Sequence, residues 1–135
     1  MALKKKAKKS FQYGKYQTSI DLYNKILASK PNDGKANYFV AESYRLSNRL
    51  KEAEPYYQKA GGFGIDKDSV KFYLAQYMKA NGKYDEAKRI LEQLSANAAE
   101  EKMKDRASTE LQGLLYIQKL DASTSYYRVK NLEAI

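Results

Sequence analysis

The chain repeats itself every 34 residues, and this period limits it to very few architectures. Gly14-Lys15-Tyr16, Asn48-Arg49-Leu50 and Gly82-Lys83-Tyr84 occupy equivalent places. The small residues Ser19, Ala53 and Ala87 form a second column, and the large residues Tyr23, Tyr57 and Leu91 a third. Ile26, Ala60 and Leu94 follow three residues later. A fixed period of this length predicts stacked helix–turn–helix units, each burying its apolar face against its neighbours. Such arrays display long surfaces to partners, so the period points to binding rather than to chemistry.

The helical pattern within each period is explicit. Ala36, Val40, Ala41 and Tyr44 give one stripe over 34–47, and Leu50, Ala53, Tyr57 and Ala60 another over about 50–60. Pro55 falls in or just after the first turn of that second helix, where a missing N–H costs little. Asn48 is placed to make the intervening turn, since Asn and Gly tolerate a left-handed backbone. Gly61-Gly62-Phe63-Gly64 predicts a helix stop. The third unit repeats this with Val70, Leu74, Ala75 and Met78, then Tyr84, Ala87, Leu91 and Leu94. In the first unit Lys6 stands where Val40 and Leu74 stand later, which predicts a helix frayed at its start. Met103, Ala107, Leu111, Leu114 and Leu115 mark a further helix that would cover the last apolar face.

The predicted fold is therefore all-α, a right-handed superhelix of three helix pairs plus a C-terminal capping helix. The units span about 1–33, 34–67 and 68–97, and the cap 98–121. Residues 122–135 read as a linker and an extended segment, because Tyr127, Val129 and Asn131 alternate with Arg128 and Lys130. A lone strand is not stable by itself, so a further domain is expected beyond it.

The columns resemble the tetratricopeptide repeat. Gly14, Tyr16, Ser19, Tyr23 and Pro31 carry the resemblance in the first unit. Ala41, Tyr44, Ala53, Tyr57 and Ala60 carry it in the second, and Leu74, Ala75, Gly82, Tyr84 and Ala87 in the third. The pattern departs from the family in lacking Trp and in its lysine-rich first helix. The segment Tyr126–Ile135, following such an array, resembles the PorE-like family of envelope proteins. In that family the repeats precede a β-propeller and an OmpA-like peptidoglycan-binding domain. The resemblance implies an outer-membrane-associated, periplasmic component of a type IX secretion or gliding assembly. A cytoplasmic location is the alternative.

The tetratricopeptide resemblance also implies a concave groove lined by the first helix of each pair. Lys4, Lys8, Phe11, Tyr38, Glu42, Arg45, Phe72, Gln76, Lys79, Arg106 and Glu110 would face it. Tyr38 and Phe72 would anchor a peptide or loop, and Lys4, Lys8, Arg45 and Lys79 would read acidic groups. An ordinary solvated helix face is the competing reading. The family's lysine–asparagine–arginine clamp for a terminal carboxylate is not expected, because Phe39 and Tyr73 hold two of its positions.

Nothing in the sequence gathers the groups of a catalytic site, so a non-enzyme without metal or cofactor is expected. The 135 residues contain neither His nor Cys. Gly61-Gly62-Phe63-Gly64 lacks the Lys-Ser/Thr of a phosphate-binding loop. Asp66 and Asp68 lack the remaining ligands of a calcium loop and are assigned to helix capping. Glu52 and Glu54, like Asp85 and Glu86, are assigned to exposed helix starts. No apolar run approaches the ~20 residues that span a bilayer.

Net charge is +9, and it is uneven. Residues 1–33 carry eight Lys and two Asp, and the remainder carries 17 basic and 14 acidic residues. The lysines at 4, 5, 6, 8 and 9 suit an anionic surface, a partner or plain solvent. Nucleic acid is not favoured, since its binders spread charge along a whole face. The expected partner is a protein or peptide, bound by a module that is monomeric in isolation. The alternative is a basic adaptor that holds anionic surfaces, membrane or nucleic acid, through its lysine-rich end.

Overall fold

A computed structural model of the protein describes the backbone of residues 2–133 and the side chains of 2–122. Seven helices follow one another: α1 (Ala2–Gln12), α2 (Tyr16–Ser29), α3 (Gly34–Leu46), α4 (Leu50–Gly62), α5 (Asp68–Ala80), α6 (Tyr84–Asn97) and α7 (Glu101–Glu133). They stack as a helical solenoid of three antiparallel pairs closed by α7, with no strand among the described residues.

The 34-residue columns are the structure's seams. Ser19, Ala53 and Ala87 are fully buried, as are Ala7, Ala41 and Ala75 on the partner helices. Two facing columns of small side chains let the paired helices approach closely. Tyr23, Tyr57 and Leu91, then Ile26, Ala60 and Leu94, fill the space beyond. The core forms three clusters, each built from consecutive helices: around Ile20 and Val40, around Tyr57 and Val70, and around Leu91 and Leu114.

The turn inside each pair is identical. Gly14, Asn48 and Gly82 have φ of 77°, 61° and 80°. The following N–H, of Lys15, Arg49 and Lys83, reaches back to the carbonyls of Ser10, Tyr44 and Met78 at 2.9, 2.8 and 2.7 Å. This left-handed cap ties off the orphan carbonyls of the first helix and aims the chain into the second. Between pairs, Gly34 makes a different close approach. A Cβ built there would lie 2.6 Å from the Phe63 carbonyl oxygen. The second unit therefore needs hydrogen at position 34 to let the α4–α5 connector pass.

Several expectations change. α1 is helical from Ala2, with Leu3 and Ala7 packed inward and Lys6 exposed. Lys6 points to solvent there, where its charge stays hydrated. α4 continues through Gly61 and Gly62 and stops at Phe63, with Gly64 at φ 99°. Pro55 lies beyond the first turn of α4, where its missing N–H removes one helical hydrogen bond.

Residues 122–133 are not an extended segment, because α7 runs unbroken to Glu133. No glycine or proline follows Gly113, so nothing in the sequence forces the helix to stop there. The side chains of Tyr127, Val129 and Asn131, and residues 134–135, lie outside the described residues.

Candidate functional site

The first helices of the pairs carry two adjoining clefts that share Gln76 and Glu110. One, of about 390 Å³, is lined by Arg45, Asn48, Leu50, Tyr73, Gln76, Tyr77, Lys79 and Glu110. The other, of about 270 Å³, is lined by Phe72, Gln76, Asp105, Arg106, Thr109 and Glu110. Together they make a groove from the end of α3 across α5 to α7.

A buried polar cluster underlies the α3 side of this groove. Arg45 donates through Nη2 to Glu42 at 2.5 Å and through Nε to Glu42 and to the Tyr57 hydroxyl, both at 3.2 Å. The Tyr57 hydroxyl donates to Glu42 Oε1, the oxygen that also accepts from Arg45 Nε. Burial raises the Tyr57 phenol far above its ordinary value, and the Glu42 bond raises it further. Burial alone would lower Arg45, but its bonds to Glu42 and Tyr57 outweigh this and hold it firmly charged. The Tyr77 hydroxyl lies buried in the same region without a hydrogen-bond partner among the described residues. Burial pushes its pKa up, so it stays protonated.

The predicted groove residues divide. Arg45, Gln76, Lys79, Arg106 and Glu110 come together around the two clefts, and Lys79 pairs with Glu110 at 3.3 Å. Phe72 lines the second cleft but is 1% exposed, with the Arg106 guanidinium 4.4 Å above its ring. It belongs to the core and is not an open anchor. Glu42 is 7% exposed and committed to Arg45 and Tyr57, so it does not present a free carboxylate. Tyr38 is half-buried, with Lys67 Nζ 4.8 Å from its ring centroid. Phe11 is half-buried against Phe39 and Tyr16. Lys4 and Lys8 stand apart from these clefts, beside a slot between α1 and α3.

The residues missed are Asn48 and Leu50 at the turn into α4, Tyr73 and Tyr77 on α5, and Asp105 and Thr109 on α7. Phe39 and Tyr73 are themselves 34 apart, one position after Tyr38 and Phe72. That second aromatic column was the available signal. Tyr73 is half-buried and carries the Arg45 guanidinium 4.1 Å from its ring centroid.

Other assignments also change. Glu54 is 5% exposed, accepting from Asn81 and, at 2.7 Å, from Lys83 Nζ. It joins α4 to the next turn and is not an exposed helix start. Asp68 does not cap α5 but accepts from the Ala99 N–H at 3.0 Å, and Asp66 pairs with Lys71 at 3.1 Å. Among the described residues, no group of three His, Cys, Asp or Glu is placed to hold a metal. No helix there is long and apolar enough to cross a membrane.

The fold is that of tetratricopeptide-repeat solenoids. The P58(IPK) TPR domain matches with a TM-score of 0.79 at 17% identity, over 96% of this chain and 36% of that one. SycD, the type III secretion translocator chaperone of Yersinia enterocolitica, matches at 0.70 and 19% identity, over 87% and 84%. The first TPR of Spaghetti (RPAP3), bound to the HSP90 peptide SRMEEVD, matches at 0.67 and 24%, over 87% and 91%. No protein-family model matches the chain, and neither does any curated protein.

Proposed function

We propose that this protein is a non-catalytic interaction module that holds an extended protein segment in the groove across α3, α5 and α7. The adjoining clefts carry the reading. Their lining brings together Gln76, the Tyr73 ring, Thr109 and the Lys79–Glu110 pair. Amide and hydroxyl groups suit a peptide backbone, and aromatic and cationic groups are the usual anchors of such interfaces. Spaghetti (RPAP3), of like fold, holds a peptide, and SycD is a chaperone of translocators. Both likenesses support a protein ligand.

The test is to pan a random peptide-display library on the purified chain and measure enriched peptides by fluorescence anisotropy. Gln76→Ala with Lys79→Ala should weaken them by roughly tenfold or more. Unchanged affinity in that variant would move the site elsewhere.

The assembly proposed for this module is a type IX secretion or gliding complex at the outer membrane. Its support is the resemblance of Tyr126–Ile135 to the PorE-like family. Recovery of the native protein in the soluble cytoplasmic fraction would refute it. A second reading, the basic adaptor, draws on the exposed lysines of α1. Lys5, Lys6, Lys8 and Lys9 have no carboxylate within ion-pair distance among the described residues. Sedimentation with phosphatidylserine vesicles at low and high salt separates it from the groove reading, since headgroup binding falls steeply with ionic strength.

A further inference from the structure

We propose that the slot between α1 and α3 takes one acidic side chain of the segment held in the groove, an assignment that rests on the groove reading above. The slot is small, about 140 Å³, and is lined by Lys4, Lys8, Tyr23, Asp33, Lys35, Ala36 and Phe39. Its shape follows from two helical spacings. Lys4 and Lys8 are one turn apart on α1, and Lys35 and Phe39 one turn apart on α3, so each pair shares a face.

The apolar part of the slot is a wall of packed rings. Phe39 stacks on Tyr23 with centroids 5.3 Å apart and rings 9° from parallel, and the Phe11 ring meets Phe39 edge-on at 5.1 Å. Tyr23 is buried and its phenol is pushed up to about 12, by burial and by the Asp33 charge. It therefore adds no negative charge at ordinary pH.

The charged part is unbalanced. Asp33 is already committed, accepting from the Ala36 N–H at 3.0 Å and pairing with Lys4 at 3.1 Å. Lys8 and Lys35 are exposed and have no carboxylate within ion-pair distance among the described residues. Three ammonium groups against one carboxylate leave the rim two positive charges in excess. A Glu or Asp side chain matches both parts. Its methylenes cover aromatic carbon, and its carboxylate meets Lys8 and Lys35. A free inorganic anion has nothing to place on the aromatic wall.

The probes are two blocked nonapeptides of alanine and serine, one with a central Glu and one with Gln, and inorganic phosphate. Each is titrated into the ¹⁵N-labelled chain. The Glu peptide should move the Lys35, Ala36 and Phe39 amides and bind about fivefold or more tightly than the Gln peptide. Lys8→Gln with Lys35→Gln should reduce it to the Gln level with an unchanged melting temperature, since both lysines are exposed and unpaired. Equal binding of the two peptides, or full binding by the double variant, overturns the assignment. So does phosphate acting at these amides as strongly as the Glu peptide. Shifts at Gln76 and Glu110 with none at the slot overturn the slot alone, and silence at every amide overturns the slot and the groove together.

Discussion

Arg45 lays its guanidinium 4.1 Å from the centre of the Tyr73 ring while holding Glu42 with its other edge. One side chain thus joins α3 to α5 across the groove floor and neutralises a carboxylate that is 7% exposed. Removing it strands a buried charge. Arg45→Ala should cost about 3 kcal/mol in urea unfolding, because a broken buried pair leaves its partner uncompensated. Arg45→Met with Glu42→Met should be less destabilised than Arg45→Ala alone. Additive losses in that double variant would show that the pair itself, rather than the stranded charge, sets the cost.

Two helical glycines should respond in opposite directions to the same substitution. Gly113→Ala should stabilise by about 0.5–1 kcal/mol, since a Cβ there meets nothing within 4 Å and alanine restricts the unfolded chain. Gly34→Ala should destabilise, because its Cβ would fall 2.6 Å from the Phe63 carbonyl and 3.2 Å from Ile65. Thermal melts of both variants test this, and a stabilised Gly34→Ala would mean that the α4–α5 connector yields easily.

Asn48 performs in the second unit the turn that glycine performs in the first and third. At φ 61° a β-branched side chain is strained, so Asn48→Val should lose about 1–2 kcal/mol. Asn48→Gly should cost little or nothing. Equal melting of all three proteins would show that the turn tolerates another backbone conformation.

Asp33 ties acid stability to the start of α3. Burial alone would raise its carboxyl, but the Ala36 N–H and then the Lys4 ammonium outweigh burial and hold it below the ordinary value. A depressed carboxylate stabilises the fold fully above its unfolded value of about 4, and that contribution disappears as the pH falls through the lower folded value. The stability gap between the parent and Asp33→Asn should therefore be present at pH 7 and close in strong acid. Asparagine keeps the capping geometry, so the remaining gap reports the charge. A gap constant with pH would contradict the assignment.

The repeat was legible because it rests on local rules: a small residue where helices cross and a left-handed residue where they turn. Both recur at fixed spacing, so Ser19, Ala53 and Ala87, and Gly14, Asn48 and Gly82, could be read directly. The groove was legible only in part. Phe72 and Tyr73 are neighbours about 100° apart on one helix, and the Arg106 side chain, 34 residues away, helps decide which is covered. Glu54 shows the same limit, since its burial depends on Asn81 and Lys83 in the next unit. The segment after Leu120 misled for a different reason: period-two alternation over a few residues does not exclude a helix that nothing interrupts.

The three core clusters are not separate. Tyr44 and Tyr56 pack against both the first and the second, and Tyr73 and Leu74 against both the second and the third. Each boundary is thus a shared wall, and no helix pair can be lifted out without opening its neighbour.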